Sequence, residues 1–319
     1  MDINRIEAAA ARLEGHARVT PLLEAPGLNA LAGRRVLVKA ESLQWTGSFK
    51  YRGARAALSA MDDATRSKGI LAYSSGNHAQ GIALAARQFG VPATIVMPAD
   101  APQAKVANVK ALGGTVVPYD RETESREDIG AALAAKQGLT LVRPYDEPEV
   151  IAGQGTTGLE IASQAKAAGI TEGDVFVCCG GGGLTSGIAL ALEAHAPGLS
   201  ARPVEPEGFD DVIRSLEVGA RQTNNRQSGS ICDAIVTPSP GELTFPIMAR
   251  LCGPGVVVTD HDALNAMAAA FRHLRIVLEP GGAVALAAAL KAGPGDPVIA
   301  LASGGNVDPD IFRQALETA

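Results

Sequence analysis

Short apolar runs rich in β-branched residues alternate with alanine-rich stretches along the chain, and this alternation most constrains the fold. Most of the runs are continuously apolar instead of alternating, which is typical of parallel strands that are covered on both faces. The predicted strands lie at residues 36–41, 70–75, 93–98, 115–119, 139–144, 174–179, 255–260 and 298–303. Stretches such as 78–90 and 184–196 have the pattern of helices. This order of elements predicts an open, twisted α/β fold with parallel sheets.

The length of 319 residues and the hydrophobic fraction of 46% are enough for a large buried core. Because one domain usually holds roughly 100–200 residues, this length predicts two domains. The polar stretch at residues 219–245 is rich in turn-forming residues, and we expect it to be a surface excursion.

Charge and composition exclude several classes of partner. The net charge is −6 and no basic stripe with interleaved aromatics offsets it, so nucleic acid is not expected. No apolar run reaches the roughly 18 residues that a membrane span needs, so no membrane association is expected. The four cysteines lack zinc-binding spacing, which favours a reducing, cytoplasmic compartment.

The segment GSFKYRGA, residues 47–54, places Lys50 among small and apolar neighbours. Burial of a lysine disfavours its charged form, which lowers its pKa and favours an amine that forms a Schiff base. Taken alone, the same pattern also fits a surface lysine in front of a helix.

The segment YSSGNHAQGIA, residues 73–83, has the pattern of a strand, a polar turn and a helix. Backbone N–H groups at the start of that helix, together with the hydroxyls of Ser74 and Ser75, would form a cradle for a carboxylate. An ordinary turn with N-capping residues is the alternative. His78 by itself is more typical of a structural hydrogen-bonding group than of a catalyst.

The segment CGGGGLTSGIA, residues 179–189, contains four consecutive glycines between a predicted strand and a predicted helix. Four glycines carry a large entropic cost, and a backbone that wraps around a phosphate at a helix N-terminus gives a reason for them. The loop lacks the spacing of a dinucleotide fingerprint or of a P-loop.

The segment LASGGN, residues 301–306, places Ser303 at a strand end. Its hydroxyl could bond a heteroaromatic nitrogen there, or the segment could simply form a turn.

The four segments match the parts of one cofactor and its substrate. They are a phosphate loop, a desolvated lysine, a carboxylate cradle and a strand-end serine. Pyridoxal phosphate has a phosphate, an aldehyde and a pyridine nitrogen, and its amino-acid substrate has a carboxylate. The four segments together therefore predict a pyridoxal-phosphate site.

In this order, the segments resemble those of the fold-type II pyridoxal-phosphate enzymes, which have a tryptophan synthase β-like fold. The similarity is greatest to the serine/threonine dehydratase and serine racemase branch, and it extends from residue 20 to residue 306. It implies a large cofactor-binding domain of residues 1–65 and 145–319, a small mobile domain of residues 66–144, and a homodimer.

The resemblance also implies roles for individual residues. Lys50 would carry the cofactor and act in catalysis, with Ser75 as a second acid/base on the opposite face. The other cofactor-binding residues would be Phe49, Asn77, Gly180, Gly181, Gly182, Gly183, Leu184, Glu279 and Ser303. The substrate-binding residues would be Ser74, Ser75, Asn77, His78 and Arg126.

The acidic segment VEPEGFDD, residues 204–211, resembles the divalent-cation site of the same branch. Its ligands would be Glu205, Asp211 and the backbone carbonyl of Phe209, an oxygen set that suits magnesium or calcium. From the sequence alone, an acidic surface loop is the alternative.

Arg126 in the run TESRED matches an arginine near the substrate pocket of serine racemase. A guanidinium pairs well with a second carboxylate, which favours 3-hydroxyaspartate as the substrate, although serine is also compatible. The resemblance therefore implies a dehydratase, or ammonia-lyase, that converts a small β-hydroxy amino acid to a 2-oxo acid and ammonia.

Other activities stay open at this point. Within the fold, they are a serine or threonine dehydratase, a serine or aspartate racemase, and an enzyme of β-replacement. Outside it, the chain could be a non-catalytic α/β protein that binds a small molecule.

Overall fold

The computed structural model describes residues 1–120 and 122–318. In these residues the strands are β1 to β10, in chain order Leu22–Glu24, Val36–Ala40, Ile70–Tyr73, Ala93–Pro98, Thr115–Tyr119, Thr140–Leu141, Gly173–Cys178, Leu199–Pro206, Val256–Val258 and Val298–Ala302. The helices are α1 to α14, in chain order Ile3–Leu13, Pro26–Ala32, Lys50–Ala60, Asp63–Arg66, Asn77–Phe89, Gln103–Ala111, Arg126–Gln137, Pro148–Ala167, Gly183–His195, Asp211–Val218, Thr244–Leu251, Asp260–Ala269, Pro280–Lys291 and Pro309–Thr318. No helix of the described chain is both long and apolar enough to cross a bilayer.

The strands form two sheets, one with the order β1-β2-β10-β7-β8-β9 and one with the order β5-β4-β3-β6. All pairs are parallel except that of β1 with β2, which is antiparallel and lies at the edge of the larger sheet. The prediction of an α/β fold with parallel sheets is therefore confirmed. The domain boundaries stay a prediction.

The apolar runs located most of the strands. Every predicted run contains a strand, although the run at 139–144 yields just the two residues of β6. The strands β1 and β8 were not predicted. The sequence of β8, LSARPVEP, contains an arginine, a glutamate and two prolines, so it lacks the apolar pattern, yet it pairs with β7 and β9.

Helix α3, which begins at Lys50, lies where the two sheets meet. On one side Ala54 and Leu58 pack in the core of the smaller sheet, with residues of α5. On the other side α3 packs against α8, which covers the larger sheet. Lysine at the first position of α3 is thus placed between the two halves of the molecule.

The carboxyl ends of the strands carry the predicted segments. Strand β7 runs into Gly180–Gly183 and α9, β10 runs into Ser303, and β3 runs into the turn before α5. Ligands of open α/β sheets bind at this end of the strands, and the fold therefore brings the four segments toward one cleft.

Candidate active site

A cavity lies at the carboxyl ends of the strands. Its described lining consists of Phe49, Lys50, Asn77, Tyr145, Gln154, Cys178, Gly180, Gly181, Gly182, Gly183, Leu184, Thr185, Ala234, Ile235, Thr237, Glu279 and Ser303. This set includes every residue that the sequence predicted to bind the cofactor. Segments far apart in the chain thus meet around one space.

Lys50 is positioned by backbone contacts on its N-terminal side. The Phe49 N–H donates to the Ser303 carbonyl at 3.1 Å, and Ser48 forms a bridge with Gly304. The Lys50 amine, Nζ, donates to the Pro144 carbonyl at 2.9 Å. Burial lowers the pKa of Lys50 to about 8, while Cys178 and Glu279 act in the opposite direction. The amine therefore reaches its neutral, reactive form at a lower pH than an ordinary lysine does.

The glycine loop is packed too closely for side chains. A Cβ atom at Gly181 would collide with the Tyr145 ring, and one at Gly182 would lie 2.5 Å from the Met248 methyl. Gly182 also has a φ of 89°, which disfavours other residues. The loop leads into the N-terminus of α9, whose first N–H groups are available to an anion. A phosphate fits this geometry.

A hydrogen-bonded chain joins Glu279 to the turn before Lys50. Asn77 donates through Nδ2 to Glu279 Oε1 at 2.6 Å, and Asn306 Nδ2 donates to Asn77 Oδ1 at 2.7 Å. The same Asn306 amide donates to the Thr46 carbonyl at 2.7 Å. Burial raises the pKa of Glu279 to about 7, and the bond from Asn77 lowers it. Asn77 is thereby held with its amide at the cavity wall.

Ser303 is 3% exposed and lies beside Cys178. Burial raises the pKa of the Cys178 thiol to about 11, although a hydrogen bond with Ser303 lowers it. The hydroxyl of Ser303 is thus present at the strand end where the sequence predicted a partner for a ring nitrogen.

The turn before α5 contains the residues that were predicted to form a carboxylate cradle. The Gly76 N–H donates to Ser74 Oγ at 3.2 Å, and α5 begins at Asn77. His78 is buried, and its Nε2 lies 3.0 Å from the Val142 carbonyl. Burial, and then the charge of Lys50, lower the pKa of His78 to about 3, so its ring is neutral. Asn77 reaches the cavity, whereas Ser74, Ser75 and His78 lie outside its described lining.

Arg126 is exposed at the first position of α7 and also lies outside that lining. Its Nε is 2.8 Å from Glu127 Oε1, and its guanidinium carbon is 5.7 Å from the centre of the Tyr73 ring. Its charge is felt at Tyr145, which does line the cavity: burial raises the pKa of Tyr145, and Arg126 lowers it. Arg126 thus lies near the cavity without forming its wall.

The predicted cation ligands form a buried acidic pair. Glu205 is 0% exposed at the end of β8, and Asp211 is 1% exposed at the start of α10. Burial and then the Asp211 charge raise the pKa of Glu205, while burial raises the pKa of Asp211 to about 6. Asp211 Oδ2 has no partner in the described residues. Within that part of the chain no group of three metal-binding His, Cys, Asp or Glu side chains occurs, so the pair would need backbone or water oxygens as well.

The lining includes residues that sequence reasoning missed, namely Tyr145, Gln154, Cys178, Thr185, Ala234, Ile235 and Thr237. The last three belong to the stretch 219–245, which was expected to be a surface excursion. Instead its central part packs against Gly180. A Cβ atom at Gly180 would lie 3.0 Å from the Ile235 carbonyl, which shows how close the two segments are. The apolar residues Ile231 and Ile235 within this polar stretch were the available signal.

Comparison with known proteins gives consistent matches. Residues 13–304 match the family model described as pyridoxal-phosphate dependent enzyme. An L-threo-3-hydroxyaspartate ammonia-lyase of Pseudomonas sp is 44% identical over 97% of this chain and 96% of its own length. A serine racemase of Schizosaccharomyces pombe is 39% identical over 98% of this chain and 96% of its own. The solved structure of a threonine deaminase of T.th. has a TM-score of 0.91 and 42% identity, and the match covers 97% of this chain and 99% of that one.

Proposed function

The chain belongs to the family of pyridoxal-phosphate-dependent enzymes, and we propose that it is an ammonia-lyase for 3-hydroxyaspartate. As a pyridoxal-phosphate-dependent lyase, it acts on an amino-acid substrate. The observation that carries the proposal is the cavity in which Lys50, with a pKa of about 8, faces the glycine loop. The substrate is suggested by the 44% identity to the Pseudomonas ammonia-lyase over nearly the whole chain.

The cavity wall fits the cofactor in three places. Lys50 would bond its aldehyde, the N–H groups at Gly180–Gly183 and Leu184 would hold its phosphate, and Ser303 would bond its ring nitrogen. Phe49 would pack near the ring, and Asn77, held by Glu279, would bond its hydroxyl. When bound, pyridoxal phosphate supplies an aldehyde that condenses with amines and a ring that accepts electrons.

Two groups on opposite sides are proposed to move protons. Lys50, when neutral, takes a proton at Nζ from the α-carbon of the substrate on one face. Ser75 serves the other face through its hydroxyl, so the configuration at the α-carbon decides which group acts. Loss of the β-hydroxyl as water follows, and hydrolysis then yields a 2-oxo acid and ammonia.

The start of α5 is proposed to bind the α-carboxylate of the substrate. Ser74, Ser75 and Asn77 surround the first free N–H groups of that helix, which favour an anion. His78 remains neutral with its pKa of about 3, and its bond to the Val142 carbonyl ties the turn to the neighbouring strand.

Arg126 is proposed to bind the second carboxylate of 3-hydroxyaspartate. Its ion pair with Glu127 joins side chains that are 48% and 60% exposed, and such pairs contribute only about 0–1 kcal/mol. The guanidinium is therefore free to exchange Glu127 for a substrate carboxylate. The charge of Arg126 lowers the pKa of Tyr145, a residue of the cavity lining, and this effect supports the proposed role.

A substrate panel tests the function. We would measure release of 2-oxo acid from L- and D-serine, L-threonine and the four 3-hydroxyaspartate isomers, with wild type, Arg126→Ala and Arg87→Ala. Arg87 is an exposed arginine on α5 and serves as the control. We expect a 3-hydroxyaspartate to give the highest kcat/KM, with Arg126→Ala raising its KM about tenfold or more and leaving that of serine nearly unchanged. If serine and threonine outpace every hydroxyaspartate, the proposed substrate is wrong.

Racemisation is the second candidate, supported by the 39% identity to a serine racemase. It would use the two proposed proton-transferring groups, Lys50 and Ser75, one on each face. Chiral analysis of the same reactions separates the two activities. A lyase accumulates 2-oxo acid, whereas a racemase accumulates the opposite enantiomer of the amino acid.

A divalent cation, magnesium or calcium, is proposed at Glu205, Asp211 and the Phe209 carbonyl. Burial raises the pKa of both carboxylates. Glu205 accepts from the Val212 and Ile213 N–H groups, whereas Asp211 Oδ2 has no partner in the described residues, so a cation there would stabilise the pair. Calorimetric titration of Mg²⁺ or Ca²⁺ should detect binding to wild type and to Asp146→Asn, and none to Asp211→Asn. Equal binding to all three would place the cation elsewhere.

A homodimer and a cytoplasmic location are proposed as well. Three exposed apolar side chains, Val19, Leu43 and Trp45, lie together because Arg18 donates to the Leu43 carbonyl and stacks on the Trp45 ring. Such a patch suits a second copy of the chain, and sedimentation velocity tests it. The four free cysteines favour a reducing compartment.

A further inference from the structure

The hydroxyl of Thr237 is a buried donor without a partner at the cavity wall. Thr237 lines the same cavity as Lys50 and the glycine loop, and its Oγ1 has no hydrogen bond within the described residues. Buried polar side-chain atoms are nearly always bonded, so this hydroxyl calls for an acceptor. Because Thr237 belongs to the cavity lining, a ligand bound in the cavity can supply that acceptor.

The place of Thr237 narrows the choice of acceptor. A Cβ atom at Gly180, the first glycine of the loop, would lie 3.2 Å from Thr237 Cγ2. The side chain therefore stands directly beside the backbone that leads to the N–H groups of Gly181–Gly183. The nearest possible acceptor is therefore the phosphate that the glycine loop would bind.

The backbone of Thr237 is held from behind. The Thr237 carbonyl accepts from Asn224 Nδ2 at 2.9 Å, and the Asn224 N–H donates to the Pro238 carbonyl at 2.8 Å. The same Asn224 amide donates to Asp211 Oδ1 at 2.5 Å. A donor on a fixed backbone loses little conformational entropy when it binds a ligand.

Neutral donors matter more where cations are few. Among the described lining residues, Lys50 is the one Lys or Arg, and it is taken up by the aldehyde end of the cofactor. A dianionic phosphate at the loop must then be stabilised by backbone N–H groups, the N-terminus of α9 and hydroxyls. The hydroxyl of Thr185 is already directed at the Cys178 carbonyl, 3.5 Å away.

We propose that the Thr237 hydroxyl donates a hydrogen bond to the cofactor's phosphate, as a residue of that site in addition to the glycine loop. This inference rests on the placement of the cofactor in the proposed function. It requires no knowledge of the substrate.

The test compares two aldehydes that differ only in the phosphate. Dissociation constants of pyridoxal phosphate and of unphosphorylated pyridoxal are measured on the apoprotein by absorbance, for wild type, Thr237→Val and Thr237→Ser. Valine keeps the shape and removes the hydroxyl, and serine keeps the hydroxyl. Thr157→Val is the matched control, because Thr157 is also buried with an unpartnered hydroxyl but lies outside the described lining.

Thr237→Val should weaken pyridoxal phosphate about tenfold or more, as expected for loss of a hydrogen bond to a charged group. The affinity for pyridoxal should not change, Thr237→Ser should recover most of the loss, and Thr157→Val should bind both aldehydes as wild type does. Inorganic phosphate should also raise the Tm of the wild-type apoprotein more than that of Thr237→Val.

Three results would overturn the inference. The first is that Thr237→Val loses equal affinity for both aldehydes, and the second is that its affinity for both is unchanged. The third is a change confined to the KM of the amino-acid substrate, which would make the hydroxyl a substrate contact. A failure of the proposed lyase activity would instead leave cofactor binding intact in wild type and appear only in the substrate panel.

Discussion

At the scale of single residues, the chemistry of the site depends on how far the pKa of Lys50 is lowered. Its amine is enclosed at the cavity wall, and burial shifts its pKa from 10.5 to about 8. The nearby carboxyl of Glu279 acts in the other direction, since a negative charge favours the ammonium form. The balance leaves an amine that is largely neutral above about pH 8.

This balance predicts the pH dependence of cofactor loading. Only the neutral amine attacks an aldehyde, so the rate of reconstitution of the apoprotein should rise with pH and level off above about pH 8. Stopped-flow absorbance after mixing with pyridoxal phosphate, between pH 6 and 11, measures this rate. Glu279→Gln should move the midpoint to lower pH, because it removes a charge that favours the ammonium. A rate that still climbs toward pH 10.5, as for an ordinary lysine, would contradict this account of Lys50.

The sequence identified residues whose role is encoded in a short segment. Lys50 in GSFKYRGA and the glycines of CGGGG were found because their neighbours reveal the local geometry. Tyr145 and Thr237 were not found, because each reaches the cavity from a segment without any such pattern. Only the folded chain brings them beside the glycine loop.

At the scale of elements, a buried ionic network fixes helix α3, which carries Lys50. Arg52, two residues after Lys50, donates to both carboxylate oxygens of Glu41 at 2.8 Å and to Glu160 of α8 at 2.7 Å. Lys39 of β2 donates to the same Glu160 at 2.5 Å. The positive charges of Arg52 and Lys39 balance the negative charges of the two glutamates. Together the four side chains join β2, α3 and α8.

Removal of Arg52 should therefore destabilise the fold strongly. Arg52→Met leaves Glu41 buried and unpaired, and loss of one partner of a buried pair typically costs about 3–5 kcal/mol. Arg250→Met is the control, since Arg250 and Glu193 are exposed and such pairs contribute about 0–1 kcal/mol. Urea unfolding of the apoproteins measures both losses, and Arg52→Lys should fall between them. Similar free energies of unfolding for the two methionine variants would show that the network is not what fixes α3.

The sequence predicted those strands whose burial is visible as a run of hydrophobic residues. Strands β4 and β10 are buried at every position and almost wholly apolar, because both of their faces are covered, and the sequence located them closely. Strand β8 was not predicted because its sequence contains Glu205, which belongs to the acidic pair, and two prolines. Strand β1 was not predicted because its three residues are too few to show a hydrophobic period.

At the scale of the whole molecule, the two sheets and the segments between them enclose the cavity. An ion pair adds to the contacts across the cavity: Lys105 of α6, beside the smaller sheet, lies 2.9 Å from Asp233, which precedes the cavity residues Ala234 and Ile235. The sequence predicted parallel sheets and strand-end motifs for one ligand, since the apolar runs and the motifs are local properties. It did not reveal that the stretch 219–245 would cover the glycine loop.

The most direct test of this account is the location of the covalently bound cofactor. Borohydride reduction of the loaded protein, followed by proteolysis and mass spectrometry, fixes the cofactor to the amine that carries it. We predict a pyridoxyl group on the peptide that contains Lys50, and none in Lys50→Ala. A pyridoxyl group on another lysine, or an unmodified Lys50 peptide in protein that retains lyase activity, would contradict the central claim.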